Sequence, residues 1–591
     1  MRNIRSALSL VLVLIALTSA GVARSKSLRT EHTVSLTDPA KQEFHVATVF
    51  SGLDQPRLEL SLPVWTPGWY TVENYFKNVL RFRITDADGH NLPHTMVHKQ
   101  TWLVDTAGLK EVRVEYDYRA TVLALNQAKI TPDYAFFTGT ELFLEPVGHR
   151  TEPATVHFRV PAGWRIATAL KETADPLTFT AEDYDALVDA PVEMGKFDEL
   201  RFEVEGKPHI LITTPAGAFS RQNAGQLSES LAKIAHTDSS IFRGLPYDKY
   251  VYFYFFIPPE SNASGALEHL NAFVSFASPA NVEHPERLVG TAAHEFFHLW
   301  NVKRIRPAEM WPYDYSREDE TPLLWVSEGF TNYYGEVTAY RAGLRTEEEF
   351  LLHAASVPEW VEANEGHNYV SLAESSMSTW VGYDTPVAMP TSYYTQGEYA
   401  AALLDLSILN DTGGRMRLDD VMRALFTENY KRGRGFTSDE LIAIISRITG
   451  RDYRDFFRRY IFGTETPDHD QFYGYAGYKI VSSLRQNAAL GVSGRYRNGG
   501  YAINSVEPGS AAAAAGIMAG DVIMKIDDQT MIGFQMSEIA GKTVKVTLMR
   551  EGVEMKLPVK VGVRETREYS LVPVDSPTKQ QLTVRSAWLK R

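Results

Sequence analysis

The stretch of the chain best suited to chemistry is His294-Glu295-Phe296-Phe297-His298. On a helix, residues four apart share a face, so both imidazoles can reach one ion. Glu295 then lies one step round, where it can meet a water at that ion. Metal-assisted hydrolysis suits this spacing, with Glu295 as general base. The chain has no cysteine, so any metal must be held by His, Asp or Glu. A catalytic zinc needs a third protein ligand and an open position. The best candidate is Glu328 in Trp325-Val326-Ser327-Glu328-Gly329-Phe330, where an unpaired carboxylate among apolar neighbours is out of place. The bland alternatives are two histidines on an ordinary amphipathic helix and a glutamate in a buried salt bridge.

These residues need two packed helices. Pro285 suits a first helical turn and no further proline occurs up to Val302, which predicts a helix under both histidines. Thr321 and Pro322 read as cap and first residue of a second helix that carries Glu328 and stops at Gly343. With 591 residues the chain is too long for one core. Residues 26–207 are strand-like, with short runs such as Leu80-Arg81-Phe82-Arg83-Ile84 alternating at period two, and predict a mostly antiparallel β domain. Residues 208–470 combine the strand-like run Tyr250–Phe256 with long helical patterns, as in an α+β catalytic domain rich in helices. Short strands and glycines return over residues 473–565, a small third domain, followed by a tail over 566–591. At the start, Arg2, Arg5, an apolar run over residues 7–17 and small residues to Ala23 describe a secretory signal peptide over 1–23. The run is shorter than a spanning helix needs, and an uncleaved anchor is the alternative. An exported protein of a bacterial periplasm or cell surface is expected, without a transmembrane helix after signal removal. The net charge of −13 argues against nucleic acid as a partner.

The stretch HEFFHLWNVKRIRP, followed by WVSEGFTNYY, closely resembles the PDZ-bearing glycyl aminopeptidase family of gluzincin zinc metallopeptidases. Leu62-Pro63-Val64-Trp65-Thr66-Pro67-Gly68 is similar to that family's N-terminal signature. Asn504-Ser505-Val506-Glu507-Pro508-Gly509-Ser510 with Ala519-Gly520-Asp521-Val522-Ile523 resembles a bacterial PDZ domain. The resemblance implies a thermolysin-like catalytic domain holding one zinc on His294, His298 and Glu328. It also implies an aminopeptidase that takes peptides with a free N-terminus and small first residues, glycine first and alanine next. Gly265-Ala266-Leu267-Glu268-His269 matches the amine-recognition segment, which makes Gly265, Ala266 and Glu268 the implied substrate-binding residues. Tyr394 in Tyr394-Thr395-Gln396-Gly397 matches the tyrosine that faces the tetrahedral intermediate, with Tyr393 as runner-up. Three positions depart from the wider pattern: His269 for asparagine, Gln396 for lysine, and Gly335 for an acid seven residues beyond the ligand glutamate. Glu336 is the stand-in expected to orient a ligand histidine. Asn301, Arg304 and Arg306 lie in the motif without a role set by spacing, a helix-end cap or salt bridge being expected of the arginines. The PDZ-like domain either binds an extended peptide, with residues 489–492 as the carboxylate loop, or shapes the cleft. A zinc endopeptidase and a PDZ-based peptide-binding or folding factor with a vestigial metal site are the rival readings.

Overall fold

A computed structural model describes residues 28–258, 261, 263–382, 391–497, 499–530 and 536–591. The expected signal peptide over 1–23 lies outside the described residues. Among the described residues no helix is long and apolar enough to cross a membrane.

The N-terminal part is all strand and short helix, and its alternation decides which side of each strand is buried. In Glu43–Ser51 and Glu111–Arg119 every second side chain enters the core. Three sheets of seven, five and four strands result. Pairing is antiparallel throughout these sheets except where Arg29–Ser35 runs parallel to Ala154–Arg159. Trp65, Tyr75, Tyr116 and Tyr118 fill the centre.

The catalytic part opens on a five-stranded mixed sheet. Asp198–Val204 pairs antiparallel with Lys207–Thr214, so the expected boundary between residues 207 and 208 falls inside this hairpin. Tyr250–Phe256 is the middle strand, and all seven residues are buried because helices and the N-terminal sheets cover both faces. Gly265–His269 forms the edge strand, antiparallel to Ala272–Ala277. Behind the sheet pack Arg221–Phe242, Val289–Phe297, Thr331–Arg341 and the almost wholly buried Thr395–Thr412.

The third domain is a small sheet around Ile503, Ile523, Val546 and Leu548. It is carried on a two-stranded ribbon, Tyr478–Ala489 against Gly562–Pro573, paired from Tyr478↔Pro573 to Ala489↔Gly562. After the ribbon the chain returns to the catalytic part. The helix Lys579–Trp588 starts on a Thr578/Gln581 capping box and buries Val584 and Trp588 in the catalytic core. The tail is thus a structural member of the catalytic unit.

Candidate active site

The helix under His294 is shorter than its sequence suggests. A 3₁₀ turn, Pro285–Leu288, leads into Val289–Phe297, and His298 is already the C-cap. The chain then turns sharply through Val302, whose φ of 130° is rare for a β-branched residue. The turn has a use. His298 Nδ1 donates to the Asn301 carbonyl at 2.7 Å, which leaves Nε2 as the nitrogen with a lone pair. The Asn301 amide donates to the carbonyls of Val326 (2.8 Å) and Ser327 (3.2 Å) and to Thr331 Oγ1 (3.0 Å). Asn301 therefore ties the histidine segment to the turn that carries Glu328.

That turn, Trp325–Phe330, is π-helical and continues into the α-helix Thr331–Arg341. A π turn widens the helix by one residue and re-aims the side chains in it. Gly329 lies against Gly397: a Cβ on Gly329 would sit 2.4 Å from the Gly397 Cα, and one on Gly397 would sit 2.7 Å from the Trp325 carbonyl. Two glycines thus let the Glu328 turn touch the helix that begins beside Tyr394.

The three candidate ligands converge. His294 Nε2 and His298 Nε2 are 3.0 Å apart, and Glu328 Oε2 lies 3.3 Å from the second and 3.9 Å from the first. Donors each about 2.0–2.1 Å from a tetrahedral ion stand about 3.3 Å from one another. Two imidazoles and one carboxylate are the donor types of a His₂Glu catalytic zinc site, and these three side chains could hold a metal ion. Burial pulls the His294 imidazole down to about 3, so it stays neutral, as a ligand must. For Glu328, burial favours the neutral acid, but His298 and the Tyr70 hydrogen bond outweigh it and lower its pKa. His298, opposed by burial, is raised by Glu328 and Glu268. A cation bound here displaces the proton this pair holds. Burial pushes the Glu295 carboxyl up to about 8, with the Glu268 and Glu328 carboxylates adding to the rise.

Partners that spacing missed hold the ligands. The Tyr70 hydroxyl donates to Glu328 Oε1 at 2.9 Å, reaching in from the N-terminal part just beyond the signature. Asn332, beside His294, opposes in small part the fall that burial imposes on that imidazole. Glu336 does not take that role: its carboxylate turns to Arg345, 3.0 Å from Nε. Gly335 has a packing reason instead, since a Cβ there would come within 3.3 Å of the His294 backbone nitrogen. Arg304 caps carbonyls, including Leu299 beyond the helix end at 2.9 Å, as expected of a motif arginine. Arg306 stacks on the Tyr313 ring, 3.6 Å from its centroid. The polar residues of the motif carried this signal in their mismatch with the apolar run around them.

On the edge strand, side chains alternate, so Ala266 and Glu268 share one face while Gly265, Leu267 and His269 point the other way. Glu268 is 3% exposed, and its carboxylate lies within 4.8 Å of the ligand atoms of Glu295 and His298. Ala266 is half-buried and Gly265 is exposed at the strand start. Gly68 packs on the Glu268 carboxylate so closely that a Cβ would fall 2.6 Å from Oε1. The Tyr394 ring lies 6.4 Å from that of His294, at 24°. The Tyr393 hydroxyl is instead hydrogen-bonded to Thr379 Oγ1 at 2.9 Å.

Comparison with known proteins adds three kinds of finding. Residues 31–196 match the Peptidase M61 N-terminal domain, 287–399 match M61 glycyl aminopeptidase, and 488–561 match a PDZ domain. Curated proteins give no match. Among solved structures, the chain resembles an aminopeptidase N family protein from Idiomarina loihiensis with a TM-score of 0.79 and 24% identity. That match covers 95% of this chain and 100% of the other. An M1 zinc metallopeptidase from Deinococcus radiodurans, solved with a Tyr-Ser-Ala substrate, matches at TM-score 0.50 and 16% identity over 75% of this chain and 96% of its own. Yeast LTA4 hydrolase in complex with bestatin matches at TM-score 0.50 and 13% identity over 77% and 70%. At these identities the likeness is one of fold: a β-rich N-terminal domain and a helical catalytic region. The family matches carry more, because the glycyl aminopeptidase span contains His294, Glu295, His298, Glu328 and Tyr394. The chain therefore joins a Peptidase M61 N-terminal domain and an M61 glycyl aminopeptidase domain to a PDZ domain, and is a zinc metallo-aminopeptidase.

Proposed function

We propose that this aminopeptidase is exported, binds one zinc per chain through His294, His298 and Glu328, and removes small N-terminal residues, glycine before alanine, from peptides. The observation that carries the reading is Glu268. Its Oε1 is buried without a hydrogen-bond partner among the described residues, beside Glu295 and His298. Four carboxylates gather here, those of Asp189, Glu268, Glu295 and Glu328, against the single ammonium of Lys303. The cationic N-terminus of a peptide supplies the Glu268 carboxylate with the hydrogen-bonding partner it lacks here. Binding that terminus at Glu268 presents the first peptide bond to the metal.

Zinc, when bound, polarises the scissile carbonyl and lowers the pKa of water to about 7. Glu295 accepts the proton of the attacking water and returns it to the leaving amine. The Tyr394 hydroxyl donates to the oxyanion as it develops, and the buried surroundings strengthen that bond. The preference for glycine is supported by the family and by the close packing of the Gly68 loop over Glu268. Export rests on the basic, apolar and small-residue order of the first 23 residues. The PDZ match and its cleft of about 760 Å³, lined by residues including Leu490, Gly491, Val492 and Met536, support a peptide ligand for that domain.

The deciding experiment is a peptide panel with free and acetylated N-termini, with and without chelator. Acetylation removes the charge that faces Glu268, and truncating one side of a buried pair costs about 2–5 kcal/mol. Cleavage of the acetylated peptides should therefore fall at least about 30-fold, and Glu268→Ala should harm only the free-amine substrates. Efficient internal cleavage of a blocked peptide would make the protein an endopeptidase. Tyr394→Phe is expected to lower kcat by about 10²–10³ with little change in KM. If Tyr393→Phe shows that loss and Tyr394→Phe does not, the neighbouring tyrosine is the donor.

A further inference from the structure

Lys303 is a lysine almost sealed from water, with its side chain 1% exposed. Such a residue needs partners, and three surround it. Nζ donates to Asp189 Oδ1 at 2.8 Å and to the Pro67 carbonyl at 3.2 Å, and it stands 3.9 Å from Glu268 Oε1. The contrast between these distances is the informative part. At 2.8 Å the ammonium is hydrogen-bonded; at 3.9 Å it attracts the carboxylate without bonding to it. We propose that Lys303 is the positioning residue of the amine site: it draws the Glu268 carboxylate to a fixed place and leaves Oε1 without a hydrogen bond. This inference rests on the reading of Glu268 as the anchor of the substrate's ammonium.

The surroundings hold the arrangement from both sides. Asp189 holds the Lys303 ammonium at hydrogen-bonding distance, and it is itself bound just past the end of the strand that carries Glu268. Its Oδ2 accepts the Leu270 N–H, and its Oδ1 lies 3.6 Å from His269 Nδ1. Above, the Pro67 carbonyl takes a second ammonium proton, while Gly68 covers both Glu268 oxygens, with no room for a Cβ. The aim of Glu268 is therefore set jointly by the catalytic motif and by the N-terminal signature loop. A buried ion pair that only joined the two domains would not need a third group held just out of bonding range.

The test compares Lys303→Met, Glu268→Gln and the wild type on one glycyl peptide and its N-acetylated form, with zinc content measured for each. For Lys303→Met we expect KM for the free-amine peptide to rise at least tenfold, with kcat and zinc content near wild type. The slow rate on the acetylated form should not change, so selectivity for the free amine collapses. Should the single variant not fold, Lys303→Met with Asp189→Asn removes both charges of the pair and keeps an acceptor for Leu270; the same result is expected. An unchanged KM in a folded variant overturns the proposal, as does a fall in kcat or zinc at constant KM, which marks a purely structural lysine. If Glu268→Gln leaves KM unchanged, the anchor reading itself fails and takes this proposal with it. If Glu268→Gln raises KM and the Lys303 variants do not, only the positioning role is lost.

Discussion

Replacing Glu295 by glutamine is expected to leave zinc in place and to lower kcat by about 10²–10⁴, the usual contribution of a general base. The expectation follows from where the side chain stands. Glu295 is 6% exposed, and its Oε2 has no hydrogen-bond partner among the described residues, so no structural contact is lost with the charge. Its carboxylate lies with His298 and Glu268 rather than in the ligand set, so the amide removes a proton acceptor and not a ligand. The same measurement on Glu328→Ala should show the reverse order: zinc goes first, and turnover with it. Metal analysis beside single-turnover kinetics checks both. Full zinc occupancy in Glu328→Ala would overturn the ligand assignment, and unchanged turnover in Glu295→Gln would overturn the base.

The second large effect lies far from the metal in sequence. A chain cut after Tyr473 keeps every candidate ligand, yet it is expected to be severely destabilised. The cut removes Trp588, which is 2% exposed and whose ring meets Phe350, Tyr473 and Tyr478. Its indole N–H donates to the Tyr333 hydroxyl at 3.3 Å, and the Leu589 carbonyl accepts from Tyr340 at 2.9 Å. Both tyrosines stand on the helix that continues from Glu328. Loss of one buried tryptophan alone costs about 3–5 kcal/mol, and the cut also takes the buried Val584. The informative deletion instead joins Ala489 to Gly562 through an Asn-Gly turn, closing the ribbon in register without residues 490–561. That chain should match the full protein in thermal unfolding, zinc content and turnover of a dipeptide-sized reporter, and lose rate only on long peptides. Equal losses on short and long peptides would show that the PDZ domain helps build the cleft.

Much of the catalytic scaffold could be read from residue spacing, because local periodicity carries it. The alternation in residues 29–51 and 111–119 sets the N-terminal sheets, and the HExxH spacing brings its imidazoles together by helix geometry alone. What spacing could not show depends on contacts between distant segments. Tyr70 meets Glu328 across 258 positions, and Lys303 meets Pro67 across 236. No local pattern encodes such a meeting. The π turn at Glu328 was also hidden, since its residues read equally well as an α-helix, and Gly329 explains itself only once Gly397 lies against it. Glu336 shows the opposite error: adjacency to the expected position suggested a role that its bond to Arg345 rules out.

The ribbon beneath the PDZ domain has a consequence for how this protein can vary. Its twelve paired positions span about 40 Å at roughly 3.4 Å per residue. Because side chains change face at every residue, one residue added to a single strand forces a bulge and twists whatever the ribbon carries. Adding one residue to both strands moves the passenger outward and exchanges the faces of every ribbon side chain beyond the insertion. Two residues per strand lengthen the arm by about 7 Å and return each side chain to its face, while the right-handed twist of the ribbon turns the passenger a further step. The arm therefore works as a spacer, whose length sets how far from the catalytic part a lineage or an engineer places the PDZ domain.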